Sequence, residues 1–133
     1  MNKQIIVNMS VKDLDKSKAF FSALGYTFNP TFSGEQAALM IIAEGSINAM
    51  LMTEPFFKSF HDKKITDTRD SVEMWISLSC ESREEVDSLM AKALAAGATA
   101  TGEADDCGFM YGHGFWDLDG HGWQLNYMSG VPG

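Results

Sequence analysis

The sequence is poor in positive charge, in cysteine and in uninterrupted apolar chain, and each shortage closes off a class of function. Ten lysines and arginines stand against 18 aspartates and glutamates, a formal net charge of −8. Nucleic acid and anionic membrane surfaces reward clustered Lys and Arg, so neither is an expected partner. Two cysteines, Cys80 and Cys107, cannot make a disulfide framework, and their spacing matches no metal signature. They read as reduced thiols of a cytoplasmic protein. No apolar run approaches the roughly 18 residues that a spanning helix needs. Met1 to Val11 has one early lysine, a short apolar run and no small-residue cleavage pattern, so it is not expected to be a signal peptide.

What remains is ordinary for a globular protein. The 133 residues are 45% hydrophobic and 21% charged, enough for one domain with a real core. Gln4 to Val11 is rich in β-branched and apolar residues and reads as a strand. Ile5, Val7, Met9 and Val11 share one face, while Ile6, Asn8 and Ser10 share the other. The second face is part polar, which suits a cavity lining. Asp13 is a good N-cap for a helix running to about Leu24, because its carboxylate accepts from free first-turn amides. Leu14, Phe21 and Leu24 recur at helical spacing, with Ala19, Phe20 and Ala23 widening the stripe. Gly25 sits where a left-handed C-cap ends the helix.

Three strand-like runs follow, at Tyr26 to Phe32, Gln36 to Ile42 and Ile47 to Thr53, with turns at Ser33-Gly34 and Glu44-Gly45. Glu54 to Ile65 carries Pro55, three phenylalanines and His61. It reads as a short helix or loop, fit to be a lid or a dimer contact, with His61 at the surface. Thr66 to Ser71 is a polar linker. The order then repeats. Val72 to Cys80 is a strand. Ser82 opens a helix with Glu85 completing a capping box. Val86, Leu89, Met90, Ala93 and Leu94 form its buried stripe, and Gly97 ends it. Ala98 to Gly102, Gly108 to Trp116 and Gly122 to Met128 are the remaining strands, with turns at Asp105-Asp106 and at Asp117 to Gly120.

The chain thus reads as an α+β protein of two βαβββ modules, residues 1–53 and 72–133, joined by a linker at 54–71. Each half has one helix and one small, mostly antiparallel sheet whose face it cannot bury alone.

This order resembles the vicinal oxygen chelate superfamily, which includes glyoxalase I, bleomycin-resistance proteins, fosfomycin-resistance proteins and extradiol dioxygenases. The resemblance covers nearly the whole chain. It rests on the paired modules, on Val11-Lys12-Asp13-Leu14-Asp15-Lys16-Ser17 leading into Phe20-Phe21, on Ala95-Ala96-Gly97, and on Asp117-Leu118-Asp119-Gly120-His121. Gly108-Phe109-Met110-Tyr111-Gly112 and Asp117 to His121 look most like a bacterial subgroup described as predicted lactoylglutathione lyases. The resemblance implies curved sheets around a cleft, a homodimer and, in metal-using relatives, a divalent ion chelating the substrate. That ion acts as a Lewis acid on developing oxyanion charge.

Carried over by position, the ligands of those relatives fall on Ile6, Met50, Trp75 and Gln124, with Met52 two residues beyond Met50. Isoleucine cannot ligate, and tryptophan offers only an indole donor. Methionine sulfur is soft. Glutamine is a weak neutral ligand and no base. The expectation is therefore no metal and no other cofactor at these positions.

The same mapping makes Asn8, Ser10, Met50, Met52, Trp75, Ser77, Gln124 and Asn126 a pocket lining, apolar and aromatic with a few amides and hydroxyls, fit for a small, largely apolar molecule. The bland alternative is that these residues pack on one another. His113, between two glycines on a strand entering the cleft, is the candidate catalytic residue, as substrate contact or proton carrier. Cys107, His113, Asp117 and His121 lie close in sequence and could form a relocated metal site only by converging. Two functions compete: a metal-free binding protein of the bleomycin-resistance kind, and a lactoylglutathione lyase-like enzyme with a relocated metal. A structural or regulatory paralogue is a third.

Overall fold

A computed structural model describes residues 3–129, so the last four residues of the expected second module lie outside the described residues. The elements are β1 (Ile5–Val11), α1 (Leu14–Ala23), β2 (Thr27–Asn29), a 3-10 turn (Pro30–Phe32), β3 (Ala37–Ala43), β4 (Ile47–Thr53), α2 (Glu54–Lys58), β5 (Trp75–Ser79), α3 (Arg83–Ala95), β6 (Thr99–Ala100), β7 (Asp105–Asp106), β8 (Met110–Trp116) and β9 (Gly122–Met128). The chain divides into two compact units between Ile65 and Thr66. No helix among the described residues is long and apolar enough to cross a membrane.

In the first unit the sheet runs β1-β4-β3-β2, with β1 and β4 parallel and the other pairs antiparallel. Met9 stands opposite Leu51, which stands opposite Ala38, and Ala49 stands opposite Met40. All of these are buried, together with Leu14, Ser17, Phe20, Phe21 and Leu24 of α1 and its cap. Asp13 caps α1 by accepting from the Lys16 amide at 3.1 Å, and Gly25 follows at φ +104°. Ala19 and Ala23 do not widen the buried stripe; both are exposed. Two positions on from Ser17 or Phe21, the helix has turned roughly 200° away from the core. The run from Tyr26 to Phe32 is a strand only over Thr27–Asn29. Pro30 cannot donate to a ladder, and the Asn29 side chain accepts from the Thr31 amide at 2.9 Å, which starts the 3-10 turn instead.

In the second unit the order is β5-β9-β8-β6, with β7 also on β8; β5 and β9 are parallel. Ser82 accepts from the Glu85 amide at 3.0 Å, and the Glu85 carboxylate reaches back to the Glu81 amide at 2.7 Å. Val86, Met90 and Ala93 are buried, but Leu94 is exposed. The strand expected over Val72 to Cys80 is confined to Trp75–Ser79.

Asp105-Asp106, expected as a turn, pairs with β8. The cause is a clamp distant in sequence. Arg83 grips both Asp106 oxygens at 2.8 and 3.0 Å, donates to the Gly108 carbonyl at 3.0 Å, and lies 4.9 Å over the Tyr111 ring. The Arg83 hydrogen bonds, with help from the Gly108 amide, hold the Asp106 carboxyl down at about 2.

The two thiols differ sharply. Cys107 is exposed and Cys80 is buried. Burial first, then the charge and hydrogen bond of Glu85, pushes Cys80 up to about 11. Only the thiolate reacts, so at about pH 8 roughly one Cys80 in a thousand is reactive even before access is counted. A maleimide is expected to modify one thiol per folded chain quickly, at Cys107. Cys80 should follow only on unfolding or as the pH rises toward 11. Two thiols labelled at equal rates at neutral pH would contradict this burial.

Candidate functional site

The site is built from a turn. Asp117 is buried, and its carboxylate accepts three N–H bonds. One oxygen takes the Asp119 amide at 3.0 Å and the His121 amide at 2.9 Å; the other takes the Trp123 indole at 3.0 Å. Burial pushes this carboxyl above the usual range, against the pull of His121 and of those donors. The Thr68 hydroxyl donates to the Asp119 carbonyl, which ties the 66–71 segment to the turn. Gly120 completes the turn at φ +88°. The turn fixes where β9 begins, and so which residues of β9 face which way. Trp123 and Leu125 go into the core, each 1% exposed, while Gly122, Gln124 and Asn126 take the other face.

Register assembles that other face. Trp75, Gly122 and Trp116 form one row across β5, β9 and β8; Ser77, Gln124 and Gly114 form the next; Ser79, Asn126 and Gly112 form the third. The two indoles meet edge to face over Gly122, with centroids 5.0 Å apart and planes at 86°. A Cβ on Gly122 would lie 2.6 Å from the Trp75 ring and 2.9 Å from the Trp116 ring. Gln124 lies along the glycines of β8. Its Oε1 is 2.5 Å from where a Cβ of Gly114 would stand, and its Nε2 is 2.9 Å from that of Gly112, beside Asn126 Oδ1 at 2.6 Å. The amides of Gln124 and Asn126 have no hydrogen-bond partner among the described residues. Ser77, Ser79 and Trp75 are exposed, and Gln124, Asn126 and Trp116 are half-buried.

His113 does not join this set. It stands opposite Leu125, on the same face as Phe115, and its Nε2 is 2.8 Å from the Gly102 carbonyl. Strand side chains alternate, so a residue between Gly112 and Gly114 must face away from both. The expectation that His113 enters the pocket with Gln124 is therefore corrected. Cys107, His113, Asp117 and His121 do not converge either. Among the described residues no group of three or more His, Cys, Asp or Glu is placed to hold a metal.

In the first unit, Asn8 stands opposite Met50 and Ser10 opposite Met52, with Leu39 and Ala37 next across β3. Asn48, which the sequence reading passed over, joins the same face opposite Ile6. Trp116 and the glycines of β8, Gly112 and Gly114, were passed over too; alternate glycines on a strand are a readable signal of a close neighbour on that face. An open depression of about 460 Å³ lies elsewhere, along Thr31 to Ala37, and contains none of the expected residues.

The mapped ligand positions hold their register within each unit. Met50 opposite Asn8 repeats in the second unit as Gln124 opposite Ser77, each one step along from Ile6 and Trp75. The residues at the positions carried over from the resemblance are isoleucine, methionine, tryptophan and glutamine. That donor set does not fit a divalent metal.

Residues 4–42 match the family model of the bleomycin resistance protein-like N-terminal region. No curated protein matches the chain. Among solved structures, the chain resembles the hypothetical protein SA1046 from S. aureus, with a TM-score of 0.81 and 29% identity over 96% of this chain and 94% of that one. It also resembles a glyoxalase/bleomycin resistance protein/dioxygenase family enzyme from Burkholderia phytofirmans PsJN, with a TM-score of 0.75 and 16% identity over 92% and 96%. A third is the genomically encoded fosfomycin resistance protein FosX from Listeria monocytogenes, with a TM-score of 0.68 and 20% identity over 98% and 95%. The fold is that of the glyoxalase/bleomycin resistance/dioxygenase structures, α+β with two open sheets.

Proposed function

We propose that the protein binds a small, largely apolar molecule on the indole–amide face of its second sheet, without a divalent metal at the positions where metal-using relatives hold one. One observation carries the reading. Trp75 and Trp116 make an aromatic wall over Gly122, and beside it the Gln124 and Asn126 amides lie without partners over Gly112 and Gly114. An apolar wall with a few orienting polar groups is the usual composition of a small-molecule site. Those amides are half-buried with their polar atoms open to water, so they can exchange it for a ligand. The match of residues 4–42 to the bleomycin-resistance-like region supports the same reading. So does the donor set at Ile6, Met50, Trp75 and Gln124. The proposal includes a cytoplasmic homodimer, to be checked by sedimentation. The rival, a lactoylglutathione lyase-like enzyme with a relocated metal site, finds no ligand cluster among the described residues.

Trp75 tests the reading directly. It is 40% exposed, so its removal should cost little stability. An aromatic contact contributes about 0.5–1.5 kcal/mol beyond area burial, and the burial adds to that. Trp75→Ala is therefore expected to weaken the binding of naphthalene, used as a probe, by about tenfold or more in a calorimetric titration. Equal affinity in both proteins would place the binding face elsewhere.

A further inference from the structure

Independently of the binding reading, three sulfur side chains fall in one row at the end of the second sheet. We infer that Cys107, Met110 and Met128 form a site for a soft monovalent metal ion, and that Cu(I) is the ion that fits.

Register makes the row. Asp105 stands opposite Gly112 and Asp106 opposite Tyr111. The Cys107 amide then donates to the Met110 carbonyl at 2.9 Å, which carries the same pairing one step further. Met110 in turn stands opposite Met128. Strand side chains alternate, so Asp105 and Gly112 share one face, Asp106 and Tyr111 take the other, and Cys107 and Met110 return to the first. The three sulfur residues thus lie side by side, from the residue after β7 across β8 to β9. Directly opposed residues have Cβ atoms about 4.5–5.5 Å apart, and methionine is unbranched and flexible enough to bring its sulfur to a shared point. An ion can reach them from solvent, because Cys107 and Met128 are exposed and Met110 is half-buried.

The hairpin that presents them is held from the opposite face. Gly108 turns it at φ +83°. Arg83 grips Asp106 and donates to the Gly108 carbonyl, while the Gly108 amide donates to Asp106 at 3.0 Å. The Ser129 amide donates to the Phe109 carbonyl at 2.7 Å, which ties the turn to the end of β9. The backbone under the three sulfurs is therefore ordered before an ion arrives, which lowers the entropy lost on binding.

The donor set chooses the ion. Thiolate and thioether are soft ligands and suit Cu(I); magnesium, calcium and manganese take oxygen. Zinc accepts thiolates, but its structural sites are completed by further Cys or His. Among the described residues no group of three or more His, Cys, Asp or Glu is placed to hold a metal. Binding displaces the Cys107 thiol proton and leaves the oxidation state of copper unchanged. The thiolate then balances the single positive charge, and Asp105, two residues back on the same face, adds attraction for a cation.

The test uses the reduced full chain and Cu(I) alone, under nitrogen, in competition with a colorimetric Cu(I) chelator. One Cu(I) is expected per chain, and loading should protect Cys107 from maleimide. Cys107→Ser should abolish retention. Loss of even a supporting group around a metal typically costs about 10–100-fold in affinity, so Met110→Leu and Met128→Leu should each weaken retention about tenfold or more. Leucine keeps the apolar volume, and circular dichroism checks that each variant is folded. Excess Zn(II) should not displace the copper. Equal retention by wild type and Cys107→Ser would overturn the site. Full retention by both leucine variants would overturn the sulfur row, leaving a thiol that binds alone. Half a copper per chain would also overturn it, in favour of an ion bridging the thiols of two copies.

Discussion

Alanine at position 120 is expected to remove roughly 2–5 kcal/mol of folding stability, a large share of the ~5–15 kcal/mol that holds an ordinary domain. Gly120 has φ +88°, a conformation that costs an L-residue about 1–2 kcal/mol. The added Cβ would also overlap the Thr68 carbonyl oxygen and stand 2.8 Å from its carbon and 3.3 Å from the Arg69 amide. Those are backbone atoms and cannot swing aside like a flexible side chain, so overpacking adds about 1–3 kcal/mol. Gly108→Ala isolates the first contribution. Gly108 has a similar φ of +83° and nothing within 4 Å of its absent Cβ. Its alanine should cost only the conformational part. Urea unfolding of both variants measures the difference, which is the contribution of docking Thr68 on the turn. Equal losses would mean that the 66–71 segment is not seated on Gly120.

That docking marks where the sequence stops being legible. Caps and breakers act within a turn of themselves, so Asp13, Ser82, Gly25 and Gly97 could be read directly, and the bounds of β9 likewise. Thr66 to Ser71 is polar, and polar composition looks the same whether a segment floats or is tied down; the Thr68 bond to Asp119 spans 51 residues. The Arg83 clamp on Asp106 spans 23, and without it Asp105-Asp106 has only turn chemistry. The candidate face divides the same way. Strand alternation put Trp75 with Ser77 and Gln124 with Asn126, and the register agrees. The pairing of Trp75 with Trp116 was not readable, because it depends on β9 lying between β5 and β8. His113 is a different case. Its neighbours in sequence drew it toward the pocket, although alternation alone places it on the face away from Gly112 and Gly114.

Asp117→Ala is the second substitution with a large expected effect. The carboxylate satisfies the Asp119 and His121 amides and the Trp123 indole, and Trp123 is 1% exposed. Alanine leaves those donors unpaired, at about 1–3 kcal/mol for each that stays buried. Water reaching the opened turn offsets part of this, so a loss of roughly 3–5 kcal/mol is expected. Asp117→Asn separates the two arms. Its single carbonyl oxygen can keep the two backbone bonds, but its NH2 then meets the indole N–H, donor against donor. The expected loss is about half that of alanine, with a shift in Trp123 fluorescence. Acid works in a definite direction here. Burial raises the Asp117 carboxyl above its unfolded value, so the folded chain takes up this proton at higher pH than the unfolded one. The stability it contributes is fully present below the ordinary carboxylate range and is lost as the pH rises through the raised value. Asparagine has no such dependence. The gap between wild type and Asp117→Asn in urea unfolding should therefore widen as the pH falls from neutral toward 4. A gap that narrows over that range would mean that the N–H donors outweigh burial and hold the carboxyl down.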